Sequence, residues 1–291
     1  MQPHIHNNIN RARVGKAFGL ISAFMVVEVV AGLFTNALTL LADAAHMFLD
    51  ATALGLSWYS LVISDRKQDY RLSYGYHRYQ VIVAFINGIM LFDLIGWIYF
   101  EAFERILAPK EMLALPALAT ACLGLLINII VYRMLHVSSN SMVVRSAALH
   151  VLSDILGSVS AIAAALIVYL TGWMYADILL ALVVTLILGR GAWKIVRDAL
   201  HILLEGVPHQ INTSKITRAV QEKVADVDNV HHLHAWGLTP EKPLLTMHAQ
   251  IAENGNLERA VRQIKDLLKT EFDISHSTIQ VEYGRCPDEQ T

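Results

Sequence analysis

Over the first two-thirds of the chain the apolar positions run on without alternating, in six stretches near 14 to 34, 38 to 63, 80 to 103, 113 to 135, 143 to 170 and 175 to 195. Each matches or exceeds the roughly 20 residues that carry an α-helix across a bilayer. Continuous runs predict helices rather than a membrane barrel, whose strands alternate apolar and polar positions. Past residue 207 the pattern changes. Asn212 or Thr213 stands as a cap before a helical pattern reaching about Ala225, and alternating runs at Val230 to Trp236, Leu244 to Ile251 and Thr278 to Tyr283 predict three strands. The stripe Leu257, Ala260, Val261, Ile264, Leu267, Leu268 and Phe272 predicts a second helix over 257 to 272. The expected architecture is an all-α membrane bundle of six helices followed by a small cytosolic α/β domain of order αββαβ. Its boundaries are an N-terminal tail over 1–13, a membrane domain over 14–195, a linker over 196–206 and the soluble domain over 207–291.

Composition agrees with that division. The chain is 55% hydrophobic and 16% charged, too apolar for an average soluble protein. Basic residues of the connections orient it. Twelve lie on one side (Arg11, Arg13, Lys16, Arg66, Lys67, Arg71, Arg78, Arg133, Arg145, Arg190, Lys194 and Arg197), against Arg105 and Lys110 on the other. By the positive-inside rule both termini are cytosolic, and the expected location is an inner (plasma) membrane of bacterial type. The first span is read as retained, since no small-residue cleavage pattern precedes it. The last 86 residues carry 9 Lys and Arg against 12 Asp and Glu, a mildly acidic balance that argues against nucleic-acid binding. Cys122 and Cys286 are the only cysteines, so no disulfide framework is expected.

The chemistry concentrates in two copies of one spacing. His46 and Asp50 lie in the second apolar stretch, and His150 and Asp154 in the fifth. Four residues bring a helix back to the same face, so each HxxxD aims an imidazole and a carboxylate at one spot. Ionisable side chains in membrane-length segments are costly and face partners or aqueous cavities. One pair alone could be a local hydrogen bond; the same residue types, order and spacing twice predicts a shared cation site. Spans two and five run antiparallel, so their faces can meet at similar depth, and Ala44, Ala45, Ala147, Ala148 and Gly157 permit close approach. Two imidazoles and two carboxylates suit tetrahedral Zn²⁺, with Co²⁺ and Cd²⁺ as rivals, better than Mg²⁺ or Ca²⁺. Protons compete for the same lone pairs, so alternating access would make the site a metal/proton exchanger. A membrane metallohydrolase is the rival from another class. The chain lacks HExxH, and four ligands leave no open position for a catalytic water.

Other polar residues of the spans, Glu28, Asn36, Asp43, Asn87, Asp93, Asn128 and Asp177, are each isolated and are read as bonding a neighbouring helix or lying near an interface. The short connections at 35–37 and 171–173 predict spans one and two, and five and six, as antiparallel neighbours. In the tail, His231, His232 and His234 sit on the first strand, His248 on the second, and Glu282 ends the third with Cys286 just beyond. Strand alternation points His232 and His234 together and His231 oppositely. His231, His248 and Glu282 converge on a second metal site if the register allows, and are otherwise surface side chains.

The stretches GLFTNALTLLADAAHMFLDA, YGYHRYQ, LLEGVP, VHHLHAWGL and TIQVE, with the second HxxxD, follow in an order that resembles the cation diffusion facilitator family of zinc transporters across nearly the whole chain. The resemblance implies a homodimer with six spans per protomer and a ferredoxin-like, metallochaperone-like cytosolic domain, exporting divalent metal in exchange for protons. It implies His46, Asp50, His150 and Asp154 as the transport site, and His231, His248 and Glu282 as ligands in the tail. It implies no prosthetic group, Zn²⁺ being substrate and, in the tail, a regulatory ion. Some members bind metal in the loop between spans two and three through an Asp and two His; here Asp69 matches the Asp, and Leu72 and Tyr76 stand where the His would be. A bridging His of the second tail helix is also replaced, Arg262 occupying that region. Arg78 and Glu205 match a charged pair that ties the membrane and cytosolic parts together.

Overall fold

The computed structural model describes residues 2–35, 38–107, 114–136, 141–173, 175–284 and 286. Helical positions 2–9, 28, 31–35, 38–46, 49, 101, 105, 114–121, 161, 164, 165, 168, 169, 176, 177 and 181 are described as backbone only. Contacts divide the chain into two compact units, Met1–Ala199 and Leu200–Thr291.

The first unit is helical. α1 covers Gln2–Thr35, α2 Leu38–Ser64, α3 Arg78–Leu107, α4 Ala114–Leu135, α5 Met142–Thr171 and α6 Tyr175–Leu203. Among the described residues, the stretches 78–104, 142–160 and 178–203 are long and apolar enough to cross a membrane. Two ends differ from the sequence expectation. α1 begins at Gln2, so the residues expected as a tail are helical, and α6 runs on to Leu203 through most of the expected linker. In both places polar residues continue the helix, because nothing between the apolar run and its extension breaks it: no Pro or Gly lies between Lys16 and Pro3 other than Gly15, nor between Ala192 and Leu203.

α2 packs on α1, α3 and α5, and α5 on α4 and α3. Buried Ala51 (α2), Val83 (α3), Val131 (α4), and Val143, Ala147 and Val151 (α5) form the shared core with Val14, Ala17 and Ile21 of α1. α6, expected as the antiparallel neighbour of α5, meets it at Gly191, where a Cβ would come 2.9 Å from the Leu149 side chain, and meets α3 at Gly88, where a Cβ would come 2.6 Å from Val196. Ala147 and Ala148 are buried as close helix approach requires, whereas Gly157 faces open space, with nothing within 4 Å of an added Cβ. Of the isolated polar residues, Asn87 bonds side chains of α2 and α5 and Asp93 is exposed. Asn36 and the side chains of Glu28, Asp43 and Asp177 lie outside the described residues.

The second unit holds α7 (Thr213–Lys223), β1 (Val227–Gly237), β2 (Pro243–Ile251), α8 (Leu257–Phe272) and β3 (His276–Glu282). Of the two residues that could cap α7, Asn212 does so, its Oδ1 accepting from the Lys215 N–H at 3.0 Å. Asn256 caps α8 likewise, accepting from the Arg259 N–H at 2.9 Å. The sheet has order β1-β2-β3, with β1 antiparallel and β3 parallel to β2. One face of the sheet is apolar: Val230, Ala235, Leu245, Met247, Ala249 and Ile251 pack on Ile216 and Val220 of α7 and Ile264 and Leu268 of α8. Period-two alternation turns the intervening side chains to the helix-free face.

Ile264 is fully buried in that core, so Ile264→Ala is expected to cost about 2–5 kcal/mol. The loss should appear as faster amide exchange of β1 and β2 in the full chain, and undiminished protection would contradict the packing. At the head of β1, Arg259 donates to Asp226 through Nη2 at 2.7 Å and Nε at 3.1 Å, and this holds the Asp226 carboxyl below its ordinary 3.8. A depressed carboxyl stabilises the fold above its unfolded pKa and ceases to as pH falls through the folded one. Asp226→Asn should therefore lower the melting temperature of the unit above pH 3.8, with the difference closing in more acid buffer; a gap that widens on acidification would be the wrong sign.

Candidate metal centres

Two clusters of metal-type side chains occur among the described residues, one in each unit. In the helical unit, Asp50 (α2) meets His150 (α5), His150 Nε2 lying 2.8 Å from Asp50 Oδ1 with both side chains buried. Asp154, one turn beyond His150, completes a group whose ligand atoms lie within 4.8 Å of one another. His46 sits one turn before Asp50 on the same face of α2; its side chain lies outside the described residues. His150 Nδ1 and Asp154 Oδ2 are buried with no hydrogen-bond partner among the described residues. Buried polar atoms are rarely left so unless an ion or water completes them.

Ser153 joins this site although the HxxxD spacing does not include it. Its Oγ lies 2.5 Å from the His150 carbonyl and 3.2 Å from Asp154 Oδ1, so the hydroxyl steadies the turn of α5 that carries both ligands. No period-four pattern marks it; the only signal was a hydroxyl beside an intramembrane Asp.

In the second unit the candidate ligands lie on the helix-free face of the sheet. The antiparallel register sets His231 directly opposite His248, and the parallel register sets Gln280 beside His248, with Glu282 two residues on along the same face. Glu282 Oε1 lies 2.8 Å from His248 Nδ1, and Oε2 lies 3.2 Å from His231 Nε2. The second contact has the distance of an ion pair without hydrogen-bond alignment, so both His231 nitrogens and Glu282 Oε2 have no hydrogen-bond partner among the described residues. Burial pushes the Glu282 carboxyl up, but hydrogen bonds from Gln280 and Cys286 and the adjoining His248 and His231 outweigh it and hold it below the usual range. It is a carboxylate at neutral pH.

Two residues join this cluster beyond the three expected. Cys286 Sγ lies 3.4 Å from Glu282 Oε1 and 3.5 Å from His248 Nδ1, which makes the group His231, His248, Glu282 and Cys286, all with ligand atoms within 4.8 Å. Two imidazoles, a carboxylate and a thiolate form an ordinary Zn²⁺ donor set. His232 departs from the expected alternation. The register slips between His231 and His234, and His232 has φ 47°, so His231 and His232 both turn to the ligand face. The His232 ring centroid lies 4.9 Å from that of His248. A bulge of this kind leaves no period-two trace; the adjacent histidines were the only hint.

The other sequence-matched positions are occupied without metal geometry. Asp69 accepts from the Tyr76 hydroxyl at 2.6 Å and from the N–H groups of Arg71 and Leu72 at 2.8 and 2.9 Å, with Tyr76 the main reason its carboxyl sits below the usual range. Arg262 pairs with Glu258 one turn back on α8 at 2.9 Å. Arg78 heads α3 in the first unit, and Glu205 lies just past α6 in the second with φ 60°.

Two family models match the chain in tandem, the cation efflux transmembrane domain over residues 16–204 and the cation efflux protein cytoplasmic domain over residues 208–283. Among curated relatives, the zinc transporter ZitB of Pectobacterium atrosepticum is 39% identical over 282 residues, covering 96% of this chain and 88% of its own. The cadmium, cobalt and zinc/H(+)-K(+) antiporter of Bacillus subtilis is 33% identical over 286 residues, covering 96% and 91%. A solved structure, the metal-bound C-terminal domain of the CzcD transporter from Cupriavidus metallidurans, is 32% identical, covering 25% of this chain and 99% of its own with a TM-score of 0.24. With both domain models matched in order along almost the full length, this chain belongs to the cation efflux family, which is a family of integral membrane transporters and not of enzymes.

Proposed function

We propose that the chain exports a divalent cation, Zn²⁺ foremost, from the cytosol in exchange for protons, by alternating access of one site made of His46, Asp50, His150 and Asp154. The observation that carries this reading is the meeting of Asp50, His150 and Asp154 across two apolar helices, with buried atoms that no group among the described residues satisfies. Two carboxylates bring a charge of about −2 that a divalent cation cancels and that protons must otherwise neutralise. The His150–Asp50 hydrogen bond supports the exchange: its proton lies between two atoms that a metal would claim, so binding the metal displaces it. Nitrogen and oxygen donors favour Zn²⁺ and also admit Co²⁺ and Cd²⁺. The names of the relatives, zinc transporters and a cadmium, cobalt and zinc/proton–potassium antiporter, support the same cargo and coupling.

In this reading α1 to α6 are the six spans of a bundle in the inner (plasma) membrane, with the soluble domain from residue 207 and both termini in the cytosol. The αββαβ unit is the ferredoxin-like tail, and two copies of the chain form the transporting homodimer; the match to a cytoplasmic domain of this family supports both. His231, His248, Glu282 and Cys286 hold a second, regulatory Zn²⁺. Filling that site would favour one arrangement of the tails and so shift the population of transport states.

Reconstituted into vesicles with an imposed proton gradient, the protein should move Zn²⁺ one way and protons the other, and Asp154→Ala should abolish both fluxes; Zn²⁺ flux without proton movement would refute the exchange. Equilibrium binding separates the two clusters. The purified chain should bind two Zn²⁺ per protomer, one for each group, with Asp154→Ala and His248→Ala each removing a different one. A single class of Zn²⁺ lost in both variants would contradict two separate centres.

A further inference from the structure

A seam of buried and half-buried polar side chains runs between α2, α3 and the start of α5, and the ligand set does not use it. Its inner rung is Asn87 on α3, 1% exposed, whose Nδ2 donates to Ser57 Oγ at 2.9 Å and reaches Ser146 Oγ at 3.5 Å. Its outer rung is Gln80, which donates through Nε2 to Ser64 Oγ at 2.6 Å and accepts at Oε1 from Ser141 Oγ at 3.1 Å. Asp50, Ser57 and Ser64 follow at heptad steps along α2, and Ser146 lies one turn before His150 on α5. Ser57, Ser64 and Ser146 therefore share the faces that carry the candidate ligands, and Ser141 lies just before α5 begins. The inner rung lies about 10 Å from the level of Asp50 along α2, and the outer rung about as far again, at the end where the 65–77 loop begins.

The hydroxyl protons of the inner rung are committed elsewhere: Ser57 donates to the Ala53 carbonyl at 2.8 Å and Ser146 to the Val143 carbonyl at 2.9 Å. Only the Asn87 amide is left to donate there, which fixes its orientation with the NH₂ toward the serines. Among the described residues, Asn87 Oδ1 is then a buried acceptor that no donor reaches. Such an atom calls for a hydrogen-bond donor or a cation.

We propose that Asn87, Ser57 and Ser146 form a waypoint for water and the hydrated divalent cation between the loop end of the helical unit and the membrane site, closed on the loop side by Gln80 bridging Ser64 and Ser141. The proposal rests on the transport reading above. Its chemistry suits passage rather than storage: neutral oxygens replace part of a hydration shell without the charge that would trap the ion, so the cation can be handed on to Asp50 and Asp154. The arrangement also explains why amides of α3, a helix without ligands, face serines of the two helices that carry them.

The test uses the full chain in membranes. Asn87→Leu should slow Zn²⁺ uptake about tenfold, the effect of removing one buried hydrogen-bonding group, while Zn²⁺ bound per protomer at equilibrium stays as in the parent chain. Ser57→Cys should be labelled by a small water-soluble methanethiosulfonate reagent, located on its peptide by mass spectrometry, with labelling slowed by excess Zn²⁺. Uptake by Asn87→Leu at the parental rate, or a Ser57→Cys thiol that stays unlabelled with and without Zn²⁺, would overturn the waypoint. If Asn87→Leu fails to assemble, the labelling decides by itself. Labelling needs no transported metal, so it fails separately from the ligand reading, which fails when Asp154→Ala still binds Zn²⁺ at the membrane site.

Discussion

A carboxylate between apolar helices must be neutralised, and the contact of Asp50 with His150 at 2.8 Å is where this chain meets that requirement. The rest of the helical unit follows from it. α2 and α5 have to approach closely, which the buried Ala51, Ala147 and Ala148 allow. The ligand-bearing turn of α5 has to be held still, which the Ser153 hydroxyl does. The two helices also have to be backed by a third that satisfies their serines, and α3 supplies Asn87 and Gln80 for that. In the proposed exchange, a proton on the His150–Asp50 pair and a metal held by the same atoms would be alternatives.

The tail solves a different problem with a sheet. Period-two alternation gives one face to the core, where Leu245, Met247 and Ile251 pack on α7 and α8, and leaves the other free for ligands from all three strands. Central placement of β2 matters, because it brings His248 within reach of His231 on one side and Glu282 on the other. No single helix could gather donors from such separated parts of the chain.

What could be read from the residues followed from periodicity. Helices over the six apolar runs and the αββαβ order emerge, since both rest on patterns that sequence displays directly, while the start of α1 and the end of α6 depart from the expected bounds. The HxxxD spacing points to His46, Asp50, His150 and Asp154 because period four on a helix is itself geometry; the last three come together, and the His46 side chain lies outside the described residues. What stayed hidden depends on register and on single dihedral angles. The left-handed φ of His232 turns its ring to the ligand face, against the alternation of an unbroken strand. Cys286 joins the cluster only because the chain beyond β3 carries it back toward His248. The polar seam was invisible for a related reason: Asn87 reads as one isolated amide until two other helices are set beside it. Extra helix at both ends of the membrane segments was missed because the hydropathy of a span stops before the helix does.

The most direct test of the central claim is a structure of the full chain with Zn²⁺ bound, its metal positions fixed by anomalous scattering at the zinc edge. The account predicts a peak between α2 and α5 coordinated by His46, Asp50, His150 and Asp154 at about 2.0–2.2 Å. Zinc found in the chain but absent from between those two helices, with the four side chains turned to other partners, would contradict it.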